Sequence, residues 1–128
     1  SGNSDVLRYI HTHKTGALFK AALRSGGLIG GATKEELDAL TEFGEHFGLV
    51  FQITDDILDE VGSVEKIGKA TGKDRELGKL TYPGLFGLEQ ARKMAEESAA
   101  KCLEALRKLP QNTRILEELA LMVVERDH

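Results

Sequence analysis

The chain has 128 residues and a formal net charge of −4 at pH 7, a length sufficient for one compact domain or for part of a larger one. The acidic balance argues against nucleic acid as the main partner. No apolar run approaches the roughly 18 residues of a transmembrane segment, and the single cysteine, Cys102, fits a reducing compartment. We therefore expect a cytoplasmic protein without a transmembrane segment.

The N-terminal part of the chain predicts two helices on either side of Gly16. A glycine inside a helical pattern costs about 1 kcal/mol relative to alanine, so Gly16 indicates a kink or a close approach. The second helix is predicted to end at the glycine pairs 26–27 and 30–31. Its apolar face consists of Leu18, Phe19, Ala22 and Leu23.

The longest predicted helix spans residues 33–61, about 42 Å at 1.5 Å per residue. Thr33 and Glu36 form a capping box at its start. A second stripe of residues, Gly48, Gln52, Asp55 and Asp59, borders the apolar one, as at a cavity between helices. The predicted apolar seam consists of Leu37, Leu40, Gly44, Phe47, Phe51, Thr54 and Leu58.

The rest of the chain predicts a loop, a short link and two more helices. Three glycines interrupt the segment 63–80, which therefore reads as a loop, and Pro83 with Gly84 indicates a link. One amphipathic helix begins near Leu88 and stops before Pro110, and a last helix begins near Ile115. No segment has strand-like alternation, so the fold class is all-α. Few helices are left to cover the long one, so the chain is expected to oligomerise or to belong to a larger helical domain.

The charge pattern centres on the cluster DDxxD formed by Asp55, Asp56 and Asp59. Asp55 and Asp59 are four residues apart and share one helix face. No Lys or Arg occurs between Lys34 and Lys66, so the negative charge has no nearby partner in sequence. A hard divalent cation such as Mg²⁺ would compensate it. The alternative is three exposed acids on an ordinary surface helix.

Basic residues follow the acidic helix directly, in a segment punctuated by glycine. An acidic helix next to a basic loop suits a site for a metal ion and a polyphosphate. Each signal alone has a simpler explanation: Lys14 is compatible with a solvated lysine at a kink, and the segment lacks the spacing of a Walker motif. The basic residues concerned are Lys66, Lys69, Lys73, Arg75 and Lys79.

Taken together and in this order, three motifs closely resemble the C-terminal part of the trans-type polyprenyl diphosphate synthases, nearest to the farnesyl and geranylgeranyl diphosphate synthases. They are IHTHKTGALF at 10–19, FQITDDILD at 51–59 and GKATGKDRELGKLTYPGLFGLEQAR at 68–92. The resemblance implies that residues 1–128 form the C-terminal portion of a single isoprenoid synthase helical bundle, with DDxxD as its second aspartate-rich motif.

The resemblance also implies an activity and its site. The family ionises an allylic diphosphate with the help of Mg²⁺ and joins the cation to isopentenyl diphosphate, giving a short-chain isoprenoid diphosphate. The matching positions are Asp55, Asp56 and Asp59 for Mg²⁺, with Asp55 as the direct ligand; Lys14, Lys69 and Lys79 for the allylic diphosphate; Thr15 and Gln52 as oxygen dipoles near the cationic carbon; and Asp74 as the residue that orients the lysine-rich loop or water on the metal.

The chain departs from the family pattern in length. Family members are more than twice as long and carry a first aspartate-rich motif on an earlier helix, which is absent here. We therefore expect a C-terminal fragment that is inactive alone because it holds one of two metal-binding walls. The full-length protein is expected to be a homodimer.

Three other functions are compatible with parts of the pattern. A class I terpene cyclase shares the helical fold and a DDxxD, but the lysine motifs favour the synthase. A non-catalytic subunit of a heteromeric prenyl synthase would have no physical need for DDxxD, Lys14 and Lys69. A plain helical interaction module would bind neither Mg²⁺ nor diphosphate.

Overall fold

The computed structural model describes residues 3, 5–7, 16–65, 80–110 and 113–126. These ranges contain no strand, and residues 5–7 are helical, so the predicted all-α class is confirmed. The helices with defined bounds are α1 (Ala17–Ile29), α2 (Lys34–Glu65), α3 (Tyr82–Phe86), α4 (Leu88–Leu106) and α5 (Arg114–Glu125).

The predicted capping box begins α2. The backbone N–H of Thr33 donates to Glu36 Oε1 over 2.8 Å, and the N–H of Glu36 donates to Thr33 Oγ1 over 3.1 Å. The helix continues to Glu65, past the end predicted near residue 61. Gly62 lies inside this last turn. A glycine weakens a helix by about 1 kcal/mol, and that cost alone does not end it.

Helix α1 packs antiparallel along α2. Gly27 lies beside Leu40, near the start of α2, whereas Gly16 lies beside Gly48, two turns before the aspartates. A Cβ atom placed on Gly48 would be 3.1 Å from Gly16 Cα, closer than most real Cβ contacts. The close approach predicted at Gly16 is therefore confirmed.

Helix α4 also runs antiparallel to α2 and forms its most extensive interhelical contact. The Cys102 thiol donates to the Phe43 carbonyl over 3.8 Å, and Lys108 Nζ lies 2.9 Å from Glu42 Oε2. The most deeply buried side chains of α2 include Phe43, Val50, Ile53, Thr54 and Ile57.

The predicted seam on α2 is therefore only partly correct. Phe47 and Thr54 are buried, but Leu58 is 37% exposed. Several helices, α1 and α4 most extensively, pack against α2, so its buried surface is wider than a single stripe. The predicted seam omitted Val50, Ile53 and Ile57, which form part of that wider surface.

The predicted link at Pro83 and Gly84 is wrong, because both residues lie within the short helix α3. Thr81 precedes this helix in an extended conformation, and its Oγ1 accepts a hydrogen bond from the Gly84 N–H over 3.0 Å. Proline is tolerated in the first helical turn, where its missing N–H has no intrahelical partner.

Helix α5 returns beside α2 in the same direction. Ala120, Val123 and Val124 are buried, while Ile115 is 81% and Met122 is 62% exposed. The described residues thus leave part of the apolar face of α5 uncovered, and a larger domain or an oligomer remains a prediction. No helix within these residues is long and apolar enough to cross a membrane.

Cys102 is expected not to react with thiol reagents while the chain is folded. Its side chain is fully buried, and this burial raises the pKa of the thiol to about 12. Thiol reagents attack the thiolate, so labelling by a maleimide at pH 7.5 should follow global unfolding. Mass spectrometry across a urea series would test this: the labelled fraction should track the unfolding curve measured by circular dichroism. Full labelling without urea would contradict the packing.

Candidate functional site

Two segments distant in sequence contact α2 between its middle and the aspartate motif. Gly16, which directly follows Lys14 and Thr15, packs against Gly48. Tyr82, at the start of α3, donates its backbone N–H to Asp56. The aspartate motif therefore lies on a helix that is contacted both just after the first lysine motif and just after the lysine-rich segment 66–79.

The three aspartates of the motif have different surroundings. Asp55 is half-buried and Asp59 is exposed, and their spacing of four places them on one face of α2, one turn apart. Asp56 is only 8% exposed and is rotated by about 100° from Asp55 around the helix. One pair of carboxylates is thus accessible, and the third is buried in the packed interior.

Both carboxylate oxygens of Asp56 accept hydrogen bonds from the chain itself. Gln52 Nε2 donates to Oδ1 over 3.0 Å, and the Tyr82 N–H donates to Oδ2 over 3.2 Å. Burial raises the pKa of the Asp56 carboxyl above its ordinary value, and the charges of Asp55 and Asp59 act in the same direction. The two hydrogen bonds oppose the rise because they stabilise the ionised form.

Gln52 is half-buried one turn before Asp56. Its amide nitrogen is directed at Asp56, so the amide oxygen lies on the opposite edge of the group. This hydrogen bond fixes the orientation of the amide, which is a requirement for the dipole role predicted for Gln52. The role itself stays a prediction.

A magnesium site on α2 is compatible with the geometry of Asp55 and Asp59. Among the described residues, no three side chains of His, Cys, Asp or Glu lie close enough together to hold a metal ion. Mg²⁺ does not require such a cage, because it is usually held by one or two carboxylates together with waters and substrate phosphates. Two accessible carboxylates one turn apart supply the right donor chemistry for that mode.

Five predicted site residues lie outside the described part of the chain, so the roles predicted for them remain predictions. These residues are Lys14, Thr15, Lys69, Asp74 and Lys79.

Arg126 is a residue near the motif that sequence reasoning missed. Its Nη2 donates to the Phe51 carbonyl over 2.8 Å, and its Nε donates to Thr54 Oγ1 over 2.9 Å. The guanidinium carbon also lies 4.5 Å from the centroid of the Phe51 ring. The end of α5 is thus attached to the turn of α2 that leads into the aspartates. The only sequence signal is a single arginine after the apolar face of α5.

The chain is similar in sequence to proteins of one known family. The sequence model of the polyprenyl synthetase family matches residues 3–122. The chain is 45% identical over 127 residues to the farnesyl diphosphate synthase of Escherichia coli (strain K12), covering 96% of this chain and 42% of that protein. It is 40% identical over 123 residues to geranylgeranyl pyrophosphate synthase 4 of Arabidopsis thaliana, covering 95% of this chain and 33% of that protein.

A solved structure shares the fold. It is the crystal structure of a protein from Marinomonas sp. MED121 that is provisionally assigned as a farnesyl-diphosphate synthase, with a TM-score of 0.73 and 31% identity. The match covers 93% of this chain and 39% of that one, so the chain spans less than half the length of the relatives it matches. The helical fold, the motifs and the family match agree, and the chain belongs to the polyprenyl synthetase family.

Proposed function

We propose that the chain forms the C-terminal part of a Mg²⁺-dependent prenyltransferase that condenses an allylic diphosphate with isopentenyl diphosphate. The product would be a short-chain isoprenoid diphosphate of the farnesyl or geranylgeranyl type. The observation that carries the proposal is the convergence at α2: Gly16 packs against Gly48 and the Tyr82 N–H binds Asp56. This arrangement suits a diphosphate site in which carboxylates and lysines face the same ligand.

In this proposal Asp55 and Asp59 would bind the Mg²⁺ that accompanies the diphosphate substrate. They are accessible and share one face of α2, whereas Asp56, also predicted as a ligand, has both oxygens bonded within the chain. A bound Mg²⁺ would stabilise the negative charge that develops on the leaving diphosphate. The two carboxylates would hold that Mg²⁺ in the last third of α2.

The basic side chains would bind the same diphosphate directly. Lys14, Lys69 and Lys79 act as point charges on its oxygens, and Asp74 orients the lysine-rich segment or water on the metal. Thr15 and Gln52 place oxygen dipoles near the allylic carbon, where positive charge develops. The apolar interior of the bundle keeps water away from that carbon.

The proposal also includes expectations about the inactivity of this chain alone and about the assembly of the full-length protein. Because the chain spans 42% of the Escherichia coli enzyme and 33% of the Arabidopsis one, we propose that a second metal-binding wall lies on a part of the protein that is not in this chain, and that the chain alone is inactive. The homodimer and the cytoplasmic location likewise rest on sequence arguments.

Asp55→Asn tests the proposal without requiring turnover. Isothermal titration of Mg²⁺ in the presence of inorganic diphosphate should give binding to the wild-type chain. Asp55→Asn should weaken this binding by at least about 10-fold, because loss of a metal's outer contacts alone costs about 10–100-fold.

Asp38→Asn is the matched control. Asp38 is an exposed acid on the same helix, about 25 Å from Asp55 along the helix axis, and the same charge is removed. The control should bind as the wild type does. Absence of diphosphate-dependent Mg²⁺ binding to the wild type, or equal binding by both variants, would favour a helical interaction module instead.

A further inference from the structure

Asp56 differs from the other aspartates of the motif in being buried. It is 8% exposed, and its two oxygens accept hydrogen bonds from Gln52 Nε2 and from the Tyr82 backbone N–H. A carboxylate is removed from water at a large cost unless its oxygens are paired. Here the pairing comes from the chain, so binding a metal ion would require at least one of these hydrogen bonds to break.

The Tyr82 N–H that binds Asp56 belongs to the segment that directly follows the lysine-rich residues 66–79. Leu80 packs against the core, and Tyr82 is buried. The Tyr82 N–H belongs to the first turn of α3 and so has no intrahelical acceptor. Asp56 supplies that acceptor from α2, while Thr81 accepts from Gly84 within the same turn.

The hydrogen bond between Asp56 and Tyr82 connects α2 to α3. Gln52 lies one turn before Asp56 on α2 and bonds to the same carboxylate, so the side chain of Asp56 is held from its own helix and from α3 together. Asp55 and Asp59 lie on a neighbouring face of α2 that remains accessible. The motif thus consists of two accessible carboxylates, Asp55 and Asp59, and one buried carboxylate, Asp56, that connects α2 to α3.

We propose that Asp56 is a positioning residue that fixes residues 80–82 against the aspartate motif, and that metal binding falls to Asp55 and Asp59. The inference rests on the proposed function, since it divides the roles within that site. Asp56 acts through hydrogen bonds rather than through direct contact with the metal. An isosteric side chain that preserves those hydrogen bonds should therefore replace it.

Asp56→Asn tests the division of roles. An asparagine can accept from the Tyr82 N–H with its oxygen and donate its NH₂ group to Gln52 Oε1 once the Gln52 amide rotates. In the Mg²⁺ and inorganic diphosphate titration, Asp56→Asn should stay within about 3-fold of the wild type, while Asp55→Asn should lose at least about 10-fold.

Amide hydrogen exchange at Tyr82 provides the second measurement. In Asp56→Ala the Tyr82 amide should exchange at least about 10-fold faster than in the wild type, because its acceptor is gone. In Asp56→Asn the protection should be restored to within about 3-fold. This rescue would distinguish hydrogen bonding from the charge of the carboxylate.

The possible outcomes separate the inference from the proposed function. Equal loss of Mg²⁺ binding in Asp56→Asn and Asp55→Asn would overturn the inference and leave the proposed function standing. Unchanged Mg²⁺ binding in both variants would overturn the proposed function. Unchanged Tyr82 protection in Asp56→Ala would overturn the positioning role; if that variant does not fold, the comparison of Mg²⁺ binding by Asp56→Asn and Asp55→Asn still decides the inference.

Discussion

Gly48→Val should lower the free energy of unfolding by about 2–3 kcal/mol, the upper part of the range for inserting side-chain atoms into a packed interface. A Cβ atom at position 48 would lie 3.1 Å from Gly16 Cα and 3.4 Å from Gly16 N. These are backbone atoms at the start of α1, which cannot turn aside as the tip of a flexible side chain could. Urea unfolding followed by circular dichroism would measure the loss.

Gly62→Val is the matched control for this prediction. Gly62 lies in the same helix, and a Cβ atom placed there meets nothing within 4 Å. Because valine has a slightly better helix propensity than glycine, the free energy of unfolding should stay within about 0.5 kcal/mol of the wild type. Equal losses at both positions would show that valine's effect on the helix, rather than the contact with Gly16, decides the result.

The helices were predictable from sequence where local chemistry determines them. The capping box of Thr33 and Glu36 is a local pattern, and it marks the start of α2 correctly. The short helix α3 was missed because proline and glycine usually indicate a turn, and its first turn depends on an acceptor from α2. Leu58 was misplaced because periodicity shows which residues could face a neighbour, whereas the number of neighbours is a tertiary property.

The site was predictable at the level of residue types and less so at the level of roles. The DDxxD spacing places Asp55 and Asp59 together by helix geometry alone. The same spacing gives no sign that Asp56 is buried, because its partner Tyr82 contributes a backbone N–H that any residue except proline carries. The contact of Gly16 with Gly48 follows a similar rule: glycine suggests a close approach but does not identify the partner.

Arg126→Ala should lower the free energy of unfolding by about 2–3 kcal/mol, from the loss of two charge-assisted hydrogen bonds and a cation–π contact. Arg126, which directly follows α5, bonds to the Phe51 carbonyl and to the buried Thr54 hydroxyl. Without the arginine, the Phe51 carbonyl retains the Thr54 hydroxyl as a donor, but the end of α5 loses these hydrogen bonds to α2 and keeps only its apolar packing through Val123 and Val124. Urea unfolding would measure the change.

Arg114→Ala is the control that separates this anchor from a general effect of removing arginine. Arg114 starts the same helix and pairs with Glu118 across one turn, with the arginine side chain 79% exposed. Exposed pairs of this kind contribute about 0.3–0.5 kcal/mol, so its removal should have a small effect. If Arg126→Ala is as mild as Arg114→Ala, the end of α5 does not stabilise the motif helix. If Arg126→Ala is the severe variant, α5 holds the turn of α2 from which the aspartates extend, and the C-terminal helix becomes part of the support of the site.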